Sequence, residues 1–311
     1  MLRIFKTLRG YIEIVRAEQG CWVNITHPTP EEITRLKSEF NVPEDIIRDI
    51  LDADERPRFE YDDDWSLILL RIPVQSTTNG IPFYTVPLGV FMTEHYTITI
   101  CSEPNEVLSA DQPSLYRETQ INAGDMLDFV FRLFLRSGTI YLNYLKQINQ
   151  QSSQVEQELQ KSARNQDLHR LLKIEKCLVY FITSLKANEN VLTRIRNSNK
   201  KSMTEINEDL LEDAFIENKQ ALDMAQIYSD IQSDMKESFS SFISNNLNVA
   251  MKRLTSISIG LMIPTLVASM YGMNVPNHLE KQYWAFPGII ISAGLLTFVT
   301  VMFFRKMKWF S

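Results

Sequence analysis

Leu254 to Asn274 reads LTSISIGLMIPTLVASMYGMN, and this stretch decides the architecture. About twenty residues pass without a charge, enough for a helix to cross the hydrocarbon of a bilayer. Thr255, Ser256, Ser258, Thr265 and Ser269 are scattered through it, with Gly260 and Pro264 between them. Steps of three and four from Asn248 lead through Met251, Thr255, Ser258, Met262, Thr265 and Ser269 to Gly272. Most of the small polar side chains therefore share one helical face, and much of the remainder is Ile, Leu and Val. A spanning helix with one wettable face requires either a partner helix or a water-filled lumen on that side. Two readings stand side by side: hydroxyls bonded back to their own helix in a packing seam, or a conduit.

Downstream, Trp284 to Phe304 (WAFPGIIISAGLLTFVTVMFF) is a second uncharged run of spanning length. Lys252 and Arg253 precede the first span, and Arg305, Lys306 and Lys308 follow the second. The loop between them, Val275 to Tyr283, carries only Glu280 and Lys281. The excess of Lys and Arg predicts both termini in the cytoplasm and the loop outside, with Trp284 and Trp309 at interfacial positions. Nearly all of the chain is then cytosolic. Two helices cannot enclose a conduit, so a wet face on the first span implies several copies around one axis.

Upstream, a helical run starts near Met203 and meets no proline until Pro264. Ile206, Leu210, Ile227, Ile231, Met235, Phe239 and Phe242 recur at helical spacing. Some sixty residues would make a rod on the order of 90 Å, a stalk joining cytosol to membrane; the alternative is a broken helix whose parts pack locally. The stalk is acidic: ten Asp or Glu lie between Glu205 and Glu237, opposed only by Lys219 and Lys236. This fits a solvated face, yet Asp209, Asp213 and Glu217 follow one another at i, i+4, where like charges repel. Repeated around a symmetric ring, that repulsion calls for cations. Two further helical runs, Met126 to about Ala163 and Asp167 to about Arg196, precede the stalk, split near Asn165.

The first part of the chain reads as an α/β domain. Tyr11 to Val15 and Cys21 to Ile25 look like short strands. Thr29-Pro30-Glu31-Glu32 announces a helix, with Thr as cap, Pro at the first position and Glu at the third. A second helical segment covers Pro43 to Leu51. Strands are expected at Ser66–Ile72, Thr85–Met92 and Tyr96–Cys101, with Asn79-Gly80 turning between the first two. The basic N-terminal segment lacks the apolar core and cleavage site of a signal peptide. Over 311 residues the net charge is -6, a poor match for nucleic acid. Cys21, Cys101 and Cys177 are odd in number and far apart, which suggests neither a disulfide framework nor a zinc site. His27, His95, His169 and His278 are equally isolated. No nucleophile elbow, phosphate-cradling loop or zinc-protease helix occurs, so the chain is read as non-enzymatic.

Tyr271-Gly272-Met273-Asn274, at the end of a first span and followed by a short loop, a second span and a basic-aromatic tail, resembles the signature of the CorA family of magnesium transporters. The resemblance implies an α+β membrane protein assembled as a homopentameric funnel. Residues 1–123 would form the cytosolic α/β domain and 124–253 a cytosolic helical domain that includes the start of the stalk. The pore helix would occupy 254–274, the external loop 275–283, the second span 284–304 and the basic cytosolic tail 305–311.

Carried over position by position, the pore lining and gate would fall on Asn248, Met251, Leu254, Ser258, Met262, Thr265 and Ser269. Gly272, Met273 and Asn274 would form the selectivity filter, with a ring of Asn274 at the outer mouth. A regulatory metal in the family bridges neighbouring protomers, and the matching acids here are Asp49, in Arg48-Asp49-Ile50-Leu51, and Asp213, in Glu212-Asp213-Ala214-Phe215. Arg48 departs from the family pattern, in which some members carry a second acid, and Pro264 lies one place later than in some members. Mg2+ is implied as both cargo and regulator, with Co2+ or Ni2+ as further cargo, across a plasma (inner) membrane. Two alternatives differ in kind. A broad Co2+/Ni2+/Zn2+ transporter would want softer ligands at the mouth, where no cysteine or histidine cluster occurs, and Met273 argues against the zinc branch. A membrane-anchored helical scaffold would want an apolar seam in place of the hydroxyl-bearing face.

Overall fold

The computed structural model describes residues 1–7, 11–76, 80–108, 126–161, 165–198, 207–273 and 282–306. Two compact units divide at Asp234: Met1–Asp234 and Met235–Ser311.

The first unit is built on one seven-stranded sheet in the order β2-β1-β3-β7-β6-β5-β4. Its strands are β1 (Leu2–Thr7), β2 (Tyr11–Ile14), β3 (Cys21–Thr26), β4 (Arg58–Tyr61), β5 (Trp65–Gln75), β6 (Phe83–Thr93) and β7 (Tyr96–Cys101). All neighbours pair antiparallel except β3 with β7. The expected hairpin around Asn79-Gly80 is β5–β6, paired from Trp65↔Thr93 to Gln75↔Phe83; Asn79 itself lies outside the described residues. Both faces of the sheet are covered, which is why β5 reads as a nearly unbroken apolar run, WSLILLRIPVQ. Leu67 and Leu69 point to one side, into a core with Leu36, Phe40, Ile46, Ile47 and Ile50 from the helices α1 (Pro30–Glu39) and α2 (Glu44–Leu51). Ile68, Leu70, Ile72 and Val74 point to the other, into a core with Phe134, Tyr141, Leu178, Phe181 and Leu211. Those residues come from α3 (Met126–Lys161), α4 (Asn165–Asn197) and the start of α5 (Glu208–Tyr271).

Local chemistry fixes the ends of these elements. Thr29 caps α1 as its sequence announced: its hydroxyl accepts from Glu32 N–H, and the Glu32 carboxylate accepts from Thr29 N–H. The described helix α5 begins at Glu208 where a start near Met203 was expected. Asn207 is the cap, its side-chain oxygen accepting from Leu210 N–H at 3.2 Å. Strand β4 ends its pairing at Arg58↔Leu69. Two residues further along β5, Asn188 of α4 takes over, accepting from Arg71 N–H at 2.9 Å and donating to Arg71 O at 2.8 Å. A side-chain amide thus substitutes for the missing strand and locks α4 to the sheet.

Gly89 of β6 marks a close approach. A Cβ there would lie 2.4 Å from Ile50 Cδ1 and 2.5 Å from Cγ1, and Ile50 is fully buried. Gly89→Ala is expected to push α2 off the sheet and destabilise the fold by about 1–3 kcal/mol, measured as a lower urea midpoint at unchanged slope.

The second unit contains the remainder of α5 and α6 (Ala285–Lys306), and each of these helices holds a stretch long and apolar enough to cross a membrane. Helix α5 is continuous through Pro264, so the broken-helix alternative does not hold within the described chain.

Candidate functional site

The first span presents two different faces. Ser256 is buried and Gly260, Ile263, Pro264, Val267 and Tyr271 are partly covered, a stripe at helical spacing. Pro264, Val267 and Ala268 line an apolar groove with Ile289, Ile290, Ala293, Gly294, Thr297 and Phe298 of α6, so this is the side that meets the second span. The hydroxyl-bearing face lies about half a turn away around the helix. Asn248, Met251, Leu254, Thr255, Ser258, Met262, Thr265 and Ser269 are all exposed there. Each chain's own second span therefore leaves that face uncovered.

The hydroxyls on it are held by the helix. Thr255 donates to Met251 O at 2.9 Å, Ser258 to Leu254 O at 3.0 Å and Thr265 to Leu261 O at 2.8 Å. The bonding foreseen for a packing seam is thus present, on the side that no seam with α6 occupies. Between the hydroxyls stand the exposed apolar side chains of Met251, Leu254 and Met262. Proline at 264 removes one backbone donor, and it does so on the covered side. At the end of α5, Gly272 N–H closes on Ala268 O at 2.9 Å, a C-terminal cap, and Met273 is exposed. Asn274 lies outside the described residues, as do 275–281, Lys308 and Trp309. The flanking Lys252, Arg253, Arg305 and Lys306 are exposed.

The two acids expected to sense cations have unlike surroundings. Asp213 is exposed on α5, and among the described residues neither it nor Asp209 or Glu212 takes part in a salt bridge. Asp49, near the C-terminal end of α2, is one-third exposed and bonded to Arg58 of β4, with Nη2 to Oδ2 at 2.8 Å. Arg58 also donates to Glu60 at 2.7 Å and to Glu55. Partial burial works against the charge of Arg58, but Glu60, Asp49 and Glu55 outweigh it and hold the guanidinium above its ordinary pKa. Arg48, the departure noted in the sequence, is 78 % exposed with its Nε 4.0 Å from Asp49. The guanidinium bonded to Asp49 is thus that of Arg58, to which the sequence analysis assigns no role.

Among the described residues no single chain gathers three potential metal ligands. Carboxylates from two copies suit Mg2+, which keeps several waters and takes one or two protein carboxylates. The three cysteines are buried, and burial pushes the Cys101 thiol up to about 12, so none is a ready soft ligand.

Comparison with known proteins follows the same lines. Residues 17–306 match the family described as CorA-like Mg2+ transporter protein. The chain is 24% identical over 299 residues to the cobalt/magnesium transport protein CorA of Methanocaldococcus jannaschii, covering 93% of this chain and 90% of that one. It is 22% identical over 292 residues to the Thermotoga maritima protein of the same description, covering 93% and 83%. The complete structure of the M. jannaschii CorA magnesium transporter superposes with a TM-score of 0.84 at 21% identity, over 99% of this chain and 98% of that one. At that identity the likeness establishes the fold, which spans both units.

Proposed function

The chain belongs to the CorA-like Mg2+ transporter family, and from that premise we propose that it is a homopentameric channel carrying Mg2+ inward across the plasma (inner) membrane. Co2+ is a second cargo, in keeping with the cobalt/magnesium description of the two relatives. One observation supports the reading above the others: the Ser258–Thr265 face of α5 is turned away from α6 and left bare. In a symmetric ring that face would border the axis, α6 would stand outside, and Met251, Leu254 and Met262 would form apolar throats that gate by dewetting. Asn274 would receive the hydrated ion at the outer mouth. Orientation follows from Lys252, Arg253, Arg305 and Lys306, which favour the cytosolic side.

Regulation follows from the acids. At high cytosolic Mg2+, ions bridging Asp49 of one subunit and Asp213 of the next hold a closed symmetric ring. At low Mg2+ the acidic α5 helices repel, the ring loosens and the throat hydrates, a population shift driven by a ligand that prefers one state. Uptake by proteoliposomes tests the whole reading. Mg2+ and Co2+ should enter, Zn2+ should enter poorly, and Mg2+ loaded inside should suppress entry. Zn2+ uptake equal to Mg2+, indifferent to internal Mg2+, would favour the broad transporter.

A further inference from the structure

We propose that Arg58 is a built-in competitor for the cation at Asp49 and sets the Mg2+ concentration at which the protein responds; this rests on the Asp49–Asp213 sensing pair proposed above. The side chain of Arg58 is 19% exposed and reaches three carboxylates: Asp49 and Glu60 at 2.8 and 2.7 Å, and Glu55. A planar guanidinium satisfies such acceptors through separate N–H groups, so each contact is independently breakable. With three negative charges facing one positive, the group keeps a net deficit of positive charge. A dication approaching Asp49 therefore finds attraction, but must first take an oxygen that Arg58 already holds.

The surrounding fold makes that exchange clean. Arg71 Nη1 donates to Glu55 O at 2.9 Å, while its Nε and Nη2 bond Thr85, so the segment that carries Glu55 is tied to the sheet. Arg58 itself lies in β4, paired with Leu69. When Asp49 turns to a metal ion, Arg58 retains Glu55 and Glu60 and is not orphaned. Asp49 is the member of the group that can be released, and its release is the step that opposes metal binding. Arg48, being exposed and 4.0 Å away, cannot play this part.

The experiment is a Mg2+ titration of the full-length protein in detergent, read as protection from trypsin and as a rise in melting temperature. Arg58→Met should lower the Mg2+ midpoint about three- to fivefold, the factor that an ion pair worth somewhat under about 1 kcal/mol supplies. Arg58→Lys keeps the charge but loses the fork, so its midpoint should move partway in the same direction; it also decides the matter if Arg58→Met does not fold. Arg56→Met removes an exposed charge two residues away and should shift the midpoint less than about twofold. Midpoints equal to the parent in both Arg58 variants, or an equal shift in Arg56→Met, would overturn the proposal. Asp49→Asn/Asp213→Asn separates the two claims. If that variant loses Mg2+ protection while the Arg58 variants titrate like the parent, only the competitor role falls; if it keeps parental protection, the sensing pair itself is wrong.

Discussion

Asn274→Ala, reconstituted in liposomes, should take up Mg2+ at least about thirtyfold more slowly than the parent while eluting as the same oligomer. The argument concerns water. Magnesium holds six waters tightly and sheds them reluctantly, so an outer site works best by accepting hydrogen bonds from that shell and leaving it in place. A ring of side-chain amides does so without adding charge. A neutral hydrogen bond contributes about 0.5–1.5 kcal/mol and one to a charged group about 1.5–3. Waters polarised by the dication lie between the two, and a ring makes several such bonds, so ~2 kcal/mol of lost recognition, a factor of about thirty, is a low figure. Asn274→Asp separates affinity from passage: carboxylates should bind the ion harder and release it more slowly, which lowers maximal flux. Parental uptake by Asn274→Ala would refute the assignment of the filter.

Asp49→Asn with Asp213→Asn should abolish suppression of uptake by internal Mg2+. A ligand present at tenfold over its dissociation constant biases its preferred state by a factor of about ten per site, compounding around a ring. With both carboxylates gone, flux at zero and at saturating internal Mg2+ should differ by less than about twofold, measured with a Mg2+ indicator on the side opposite the load. Intact inhibition would refute the sensor and leave the conduit untouched. The flux of the metal-free variant carries no prediction of sign, because the change removes the ligand and the repulsion together.

Much of this architecture is legible in the sequence because its signals are local. The helix start at Thr29-Pro30-Glu31-Glu32 is complete within four residues, and the apolar runs of β5, β6 and the two spans need no partner to be seen. Strand β1 is not legible in the sequence. Its Arg3 and Lys6 look like surface charges until Glu13 and Glu18 arrive beside them. Strand β4 is four residues long, and half of it is the Arg58–Glu60 pair. The hydroxyl face followed from counting by three and four; that α6 covers the opposite face needed the packed structure. Asp49, proposed as a sensing acid, is picked out by family resemblance, but its partner Arg58 lies nine residues on, in a different element, and no periodicity connects them. Arg48 stands out in the sequence as a departure from the family pattern, yet it is Arg58 that bonds Asp49: sequence shows neighbours, and tertiary structure chooses among them.

The self-bonded hydroxyls of α5 carry one more consequence. Thr255, Ser258 and Thr265 spend their protons on Met251, Leu254 and Leu261 carbonyls, so what they turn outward is oxygen lone pairs. A lumen walled in this way welcomes the hydrogens of a hydrated cation and offers chloride nothing to hold. Such a wall discriminates by the sign of the permeant ion without a formal charge on it.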